Sequence, residues 1–325
     1  MTDYPTKASG WRKREVAAKW RNLLAIFITS ILVLAILNGF LRAFSFKNYL
    51  DSSQLDDSST IFAINSEPPA VLIYQKEPKQ IVAISLDNES YFATGDPNEP
   101  IKTVASIVDL GDGQKLTKMM SRLFGADIEN FMILKSPTEF NEPILKKAFT
   151  KFASPLTPFL ILKDSNIGNT NITRIDQIRL WWQLKSLSVN QLKLVDFSTK
   201  SSEIVVSDEV RVKAVDSDLL HQEIIKYTQN PKITASNPML EILNASGLAA
   251  AGDLSGKISE SFGYRVIKIE RSEAEGGKCR VFSSNKDYSV RYLASKLKCD
   301  IVLLPKDENT LRLVIGEDFE RHYFE

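Results

Sequence analysis

Residues 240–270, LEILNASGLAAAGDLSGKISESFGYRVIKIE, decide how the C-terminal part of the chain folds. The apolar run Met239 to Leu243 predicts a strand, Asn244 to Gly247 a turn, about Ala249 to Phe262 a helix, and Tyr264 to Glu270 a second strand. After the polar SEAEGGK stretch the order repeats: a strand at Arg280 to Ser283, a helix from about Lys286 to Leu297, and a strand at Asp300 to Leu304. A final strand follows at Leu311 to Ile315. Strands alternating with helices predict a small sheet with parallel pairs and helices packed on it, spanning residues 237–325.

Cys279 and Cys299 stand at the starts of two of these strands, joined by one helix. Adjacent parallel strands begin at the same sheet edge, and a strand spacing of about 4.8 Å suits the Cα separation of a disulfide. A Cys279–Cys299 bridge is therefore expected, contributing roughly 3 kcal/mol by the chain-entropy account. The alternative is two independent buried thiols.

Upstream, residues 61–230 read as a mixed α/β domain. Ala70 to Tyr74 and Gln80 to Leu86 are Val- and Ile-rich and predict adjacent strands, followed by a turn-rich loop from Glu89 to Pro100. Leu116, Met119, Met120, Leu123 and Phe124 recur at helical spacing over Gln114 to Phe124, with Gly125 placed to end the helix. Phe131 to Leu134, Leu192 to Phe197 and Glu203 to Val206 read as strands. Glu142 to Phe152, Arg174 to Leu184 and Ser217 to Gln229 read as amphipathic helices. Trp181 and Trp182 could offer a carbohydrate-stacking platform, but aromatics at helical spacing more often face a core. The two prolines between Asn230 and Pro238 divide this region from the C-terminal one.

At the other end, residues 22–41 contain an uncharged apolar run of about 20 residues, enough to cross a hydrocarbon core. Lys7, Arg12, Lys13, Arg14, Lys19 and Arg21 precede it, so the positive-inside rule puts residues 1–21 in the cytoplasm and everything after the span outside. A signal peptide has a shorter apolar core and a small-x-small cleavage site, which Gly39-Phe40-Leu41-Arg42 does not supply. The expected architecture is a basic tail (1–21), a single transmembrane helix (22–44) in the bilayer, a Ser/Asp-rich linker (45–60), and α/β and α+β domains beyond it.

The 41 basic and 40 acidic residues leave no global field for nucleic acid. His221 and His322 lack neighbours at zinc-ligand spacing. Gly111-Asp112-Gly113 and Gly247 to Gly256 lack phosphate-loop spacing, and there is no G-x-S-x-G elbow. Asp87, Asp109 and Asp112 with Arg122, Arg174 and Arg179 are the charged residues that could serve phosphate chemistry; each reads more readily as a solvated surface charge, since such residues are rarely buried.

The 240–270 segment resembles the C-terminal domain of the LytR family of bacterial envelope proteins, and the resemblance runs on to about the C-terminus. The order of anchor, linker, mixed domain and this module is similar to LytR-CpsA-Psr proteins, whose catalytic domain transfers lipid-pyrophosphate-linked glycopolymers onto peptidoglycan. Residues 81–93, IVAISLDNESYFA, stand where that family carries Pro-Arg-Asp, with Leu86-Asp87-Asn88 here. Residues 125–134, GADIENFMIL, resemble the family's Gly-Ile-x-Ile-Asp-His-Tyr segment without its His and Tyr. Pyrophosphate chemistry needs arginine forks and a carboxylate-held Mg²⁺. With the arginine absent, the expectation is a membrane-anchored envelope protein that binds or scaffolds at the cell wall without a cofactor. Its partners would be the bilayer and peptidoglycan or wall glycopolymer. The alternative is an active glycopolymer phosphotransferase using Mg²⁺, with Asp87, Arg174 and Arg179 as site residues.

Overall fold

The computed structural model describes residues 59–94, 101–108, 110–136, 139–157, 167–198, 200–207, 210–272, 277–305 and 311–324. The expected tail and span (1–44) lie outside these residues, as does all of the linker except Ser59 and Thr60. Among the described residues no helix is long and apolar enough to cross a membrane.

The strands are β1 (Ser59–Ile64), β2 (Ala70–Gln75), β3 (Gln80–Ser85), β4 (Tyr91–Ala93), β5 (Ile101–Thr103), β6 (Asn130–Leu134), β7 (Ile167–Thr170), β8 (Leu192–Asp196), β9 (Ser201–Ser207), β10 (Val210–Val215), β11 (Met239–Asn244), β12 (Arg265–Arg271), β13 (Arg280–Ser283), β14 (Asp300–Leu303) and β15 (Leu311–Ile315). The helices are α1 (Ala105–Val108), α2 (Gly113–Phe124), α3 (Glu142–Phe152), α4 (Arg174–Leu184), α5 (Ser217–Thr228), α6 (Pro231–Ser236), α7 (Ala249–Phe262), α8 (Tyr288–Lys296) and α9 (Glu317–Tyr323).

The middle region is built on a six-stranded sheet, β7-β6-β1-β2-β3-β8. Its central strands are near-continuous apolar runs because both faces are covered. One face, with Val71, Ile73, Val82 and Ile84, shares a core with Leu116 and Met120 of α2 and Leu220 and Ile224 of α5. The other, with Phe62, Tyr74 and Ile81, packs on Phe149 of α3 and on Leu180 and Leu184 of α4. Each side chain buried this way contributes about 1.5–3 kcal/mol.

Strand directions then place the polar ends. β1 runs antiparallel to β2, and β2 to β3, while β6 is parallel to β1 and β8 to β3. The carboxyl ends of β1, β3, β6 and β8 therefore share one edge of the sheet, and their amino ends share the other.

Local chemistry agrees with these elements. Asp112 caps α2 by accepting from Gln114 N–H at 2.8 Å, and Asn141, Thr173, Asp216 and Asp287 cap α3, α4, α5 and α8 in the same manner. Gly125 ends α2 at φ 61°, and a Cβ there would lie 2.8 Å from Lys257 and 3.0 Å from His221, so both backbone conformation and space demand glycine.

A second sheet, β5-β4-β10-β9, follows the carboxyl edge of β3. Its β4 and β5 fall in and just after the stretch expected to be a loop. Three-residue strands are too short to leave a period, and residues 95–100 lie outside the described ones. β1 likewise starts at Ser59, inside the stretch read as linker.

The C-terminal sheet is ordered β12-β11-β15-β13-β14. The two β-α-β units each form a parallel pair, β11 with β12 and β13 with β14. β15 joins them, parallel to β11 and antiparallel to β13. Helices α7 and α8 close a core containing Leu240, Ile242, Leu254, Ile258, Val281, Leu293 and Leu313.

Candidate functional site

At the carboxyl edge, Asp87 lies two residues past β3. One carboxylate oxygen accepts hydrogen bonds from Lys213 Nζ and from Ser90 Oγ (3.1 Å); the other accepts from Glu89 N–H at 3.3 Å. Lys213 reaches it because β10 pairs with β4 (Ala214 opposite Tyr91), which lays the second sheet beside the end of β3. Burial pushes the Asp87 carboxyl up, but the Lys213 hydrogen bond and those of Glu89 and Ser90 outweigh it, and the net shift is downward. Next to it, the buried Asn88 Oδ1 has no hydrogen-bond partner.

The structure does not bring Arg174 and Arg179 to Asp87. Both stand on α4, whose core residues cover the sheet face opposite the one that carries Leu86. Arg179 faces Asp176 at 3.6 Å. Arg122 lies in the last turn of α2 with its guanidinium 5.3 Å from the Phe324 ring centroid, Asp112 is spent on its cap, and Asp109 is outside the described residues. The Mg²⁺ that the resemblance implies does not fit at Asp87: both oxygens are engaged and Lys213 meets the charge. Among the described residues no cluster of three or more His, Cys, Asp or Glu could hold a metal.

Trp182 corrects the expectation of a core position: it is 64% exposed, with Lys185 Nζ 3.1 Å from its ring centroid. The α4 face buries Leu180 and Leu184 instead, and Trp181 is half-buried, donating to Ser154 O at 3.0 Å.

The amino edge holds a second group that sequence reasoning did not single out. Asp127 and Glu129 precede β6, and the C-terminal helix α9 closes over them. A cleft of about 750 Å³ lies here, with Gln114, Thr117 and Lys118 of α2 on one wall and Lys278, Lys298, Arg321 and His322 on the other. Tyr323 Oη donates to Asp127 at 2.9 Å. Lys298 pairs with Glu129 at 3.2 Å, and Lys118 Nζ donates to the Arg321 carbonyl at 3.3 Å. Asp318 accepts from Cys279 N–H at 2.8 and 3.0 Å and from Phe319 N–H at 2.8 Å.

Burial, reinforced by Glu129, raises the Asp127 carboxyl to about 6, against the opposing pull of Lys296, the Tyr323 hydroxyl and Lys298. Burial also lowers the His322 imidazole, and Lys298 adds to that. Shifted groups at a cleft mark a candidate site. Cys279 and Cys299 are joined by a disulfide with Cα atoms 4.6 Å apart. The bridge fixes the lysine before each cysteine, Lys278 and Lys298, at the same cleft.

Asp127 could have been suspected only from a carboxylate standing between a helix-ending Gly125 and a buried strand. Its partner Tyr323 is almost 200 residues away and has no local signal.

The chain matches no family model and no curated protein. Solved structures with partial likeness include TagV of B. subtilis, at 10% identity and a TM-score of 0.40, covering 51% of this chain and 93% of that one. TagU of B. subtilis gives 9% and 0.37, over 54% and 98% of the two chains. The LytR-CPS2A-psr family protein YwtF (TagT) with bound octaprenyl pyrophosphate lipid gives 8% and 0.35, over 53% and 90%.

Proposed function

We propose that this chain is a membrane-anchored, extracytoplasmic envelope protein that acts on lipid-pyrophosphate-linked glycopolymers in their transfer to peptidoglycan. The observation that carries the reading is the Asp87–Lys213 pair. It sits at the carboxyl end of β3 beside the parallel β8, the edge at which open α/β sheets take ligands. Of the two segments that resemble the LytR-CpsA-Psr family, residues 81–93 run through β3 to this same edge, whereas residues 125–134 enter β6 from the other. An ionised carboxylate can take the proton of an attacking peptidoglycan hydroxyl, and Lys213 offers a point charge to the phosphate. The hydroxyl oxygen bonds to the polymer-side phosphorus, and the polyprenyl monophosphate leaves.

A second reading, binding at the wall without transfer, is favoured by the placement of Arg174 and Arg179 on the other face of the sheet. Displacement at a pyrophosphate, with a phosphate monoester leaving, needs several cations in place. One assay separates the two: the full chain in detergent, given an undecaprenyl-pyrophosphate oligosaccharide and peptidoglycan. Covalent polymer on the sacculi, lost in Lys213→Ala, supports transfer. Saturable lipid binding without product supports the second reading. Neither result would sink both.

A further inference from the structure

We propose that the cleft at the amino edge of the middle sheet is a binding site for a saccharide that carries a phosphate group. The inference is independent of the Asp87 reading, because Asp87 lies at the opposite edge.

The charges within the cleft do not cancel. Glu129 is met by Lys298, and Asp318 is absorbed by the backbone N–H groups of Cys279 and Phe319. Asp127, which also lines the cleft, accepts from the Tyr323 hydroxyl. Four cations, Lys118, Lys278, Lys298 and Arg321, line the cleft against three acids, Asp127, Glu129 and Asp318, which leaves an excess of one positive charge. Lys118 donates only to a carbonyl, Lys278 is exposed, and Arg321 reaches Glu317 only at 3.9 Å. Three donors of this kind suit phosphate oxygens, through charge-assisted hydrogen bonds from lysine and a guanidinium fork.

The volume selects the class. About 750 Å³ is far more than one phosphate fills and lies in the range of small-molecule sites. The rest of the lining mixes apolar and aromatic side chains, Ile128, Phe131 and Tyr323, with neutral polar ones, and the Gln114 amide and the Thr117 hydroxyl on α2 offer partners to sugar hydroxyls. Preorganisation comes from the disulfide, which holds Lys278 and Lys298 on adjacent strand starts.

The test is calorimetric titration of the full chain in detergent micelles at low salt, with glucose 1-phosphate, inorganic phosphate and glucose as three separate probes. Glucose 1-phosphate is expected to bind saturably with a Kd of about 1 mM or tighter and more strongly than either other probe. Lys278→Glu with Arg321→Glu is expected to weaken it by about tenfold or more, with the thermal unfolding curve unchanged because both side chains are exposed. Each of three results overturns the proposal: no saturable binding of glucose 1-phosphate, equal binding of free phosphate, or undiminished binding by the double variant. The lipid plays no part in this titration, so its failure is distinct from failure of the transfer assay.

Discussion

Asp87 and Asp127 flank the same sheet at opposite edges, and their carboxyls shift in opposite directions. For both, burial is the largest influence and pushes the carboxyl up. At the carboxyl edge a lysine donates directly to the carboxylate and reverses the sign. At the amino edge the direct donor is a neutral tyrosine, the lysines act from farther away, and Glu129 adds a like charge. The direction of each shift follows from the balance between burial, which is deeper at Asp127, and the hydrogen bonds to the carboxylate, which at Asp87 include one from a cation. The two edges thus hold different groups: a carboxylate paired with Lys213 at one, and a carboxyl raised by burial beneath the Tyr323 hydroxyl at the other.

The largest expected effect belongs to the amino edge. Reducing the Cys279–Cys299 bridge, or replacing both cysteines with serine, is expected to cost about 3 kcal/mol for a loop of 20 residues. Urea unfolding of the oxidised and reduced chain measures it. A loss confined to the C-terminal sheet, with amide exchange on β1 to β3 unchanged, would keep the two edges separable.

The next effect is the pH dependence of Asp127. A carboxyl raised in the folded state favours the protonated form, so its contribution is fully present below the unfolded value of about 3.9 and is lost as pH rises through about 6. Unfolding free energy should fall by about 2–3 kcal/mol across that window. Asp127→Asn should flatten the slope and be the more stable protein at pH 7.5. Tyr323→Phe should do the reverse at neutral pH, costing about 1–2 kcal/mol through a buried acceptor left unpaired. It should also move the slope to higher pH, since the tyrosine hydroxyl holds Asp127 down. A flat wild-type profile would mean that Asp127 stays ionised and that the contrast between the edges is lost.

Much of the architecture could be read from residue order, and the reasons are local. Glu142 to Phe152, Arg174 to Leu184 and Ala249 to Phe262 coincide with observed elements because each carries its period and its terminal signal within one window. The alternation of strands and helices after Met239 implied parallel pairs, which the sheet contains. β4, β5 and β7 are too short for a period. β10, though it alternates as VRVKAV, was not singled out, and with it went Lys213, the partner that defines Asp87. Site residues were less legible than elements because their partners are remote: 126 positions separate Lys213 from Asp87 and 196 separate Tyr323 from Asp127. Arg174 and Arg179 were attractive for sharing a helix, but sharing a helix says nothing of which sheet face it covers.

The smallest effect is the sharpest test of the comparison. Asp87 contributes stability above the unfolded carboxylate value and loses it as pH falls through the lowered folded value, the opposite sign to Asp127. The pair with Lys213 is partly exposed, so Lys213→Ala should cost no more than about 1 kcal/mol at pH 7 and nothing once Asp87 is protonated. Its effect on the carboxyl should be qualitative. With the cation gone, burial remains as the largest influence, and the Asp87 titration followed by NMR should move up towards the behaviour of Asp127. If Asp87 stayed low in Lys213→Ala, the Glu89 N–H and Ser90 hydroxyl would suffice to hold it ionised. The cation would not be what tips the balance at that edge. Asp127, with one hydroxyl donor, would then differ from Asp87 in its deeper burial, in the number of donors and in its neighbour Glu129.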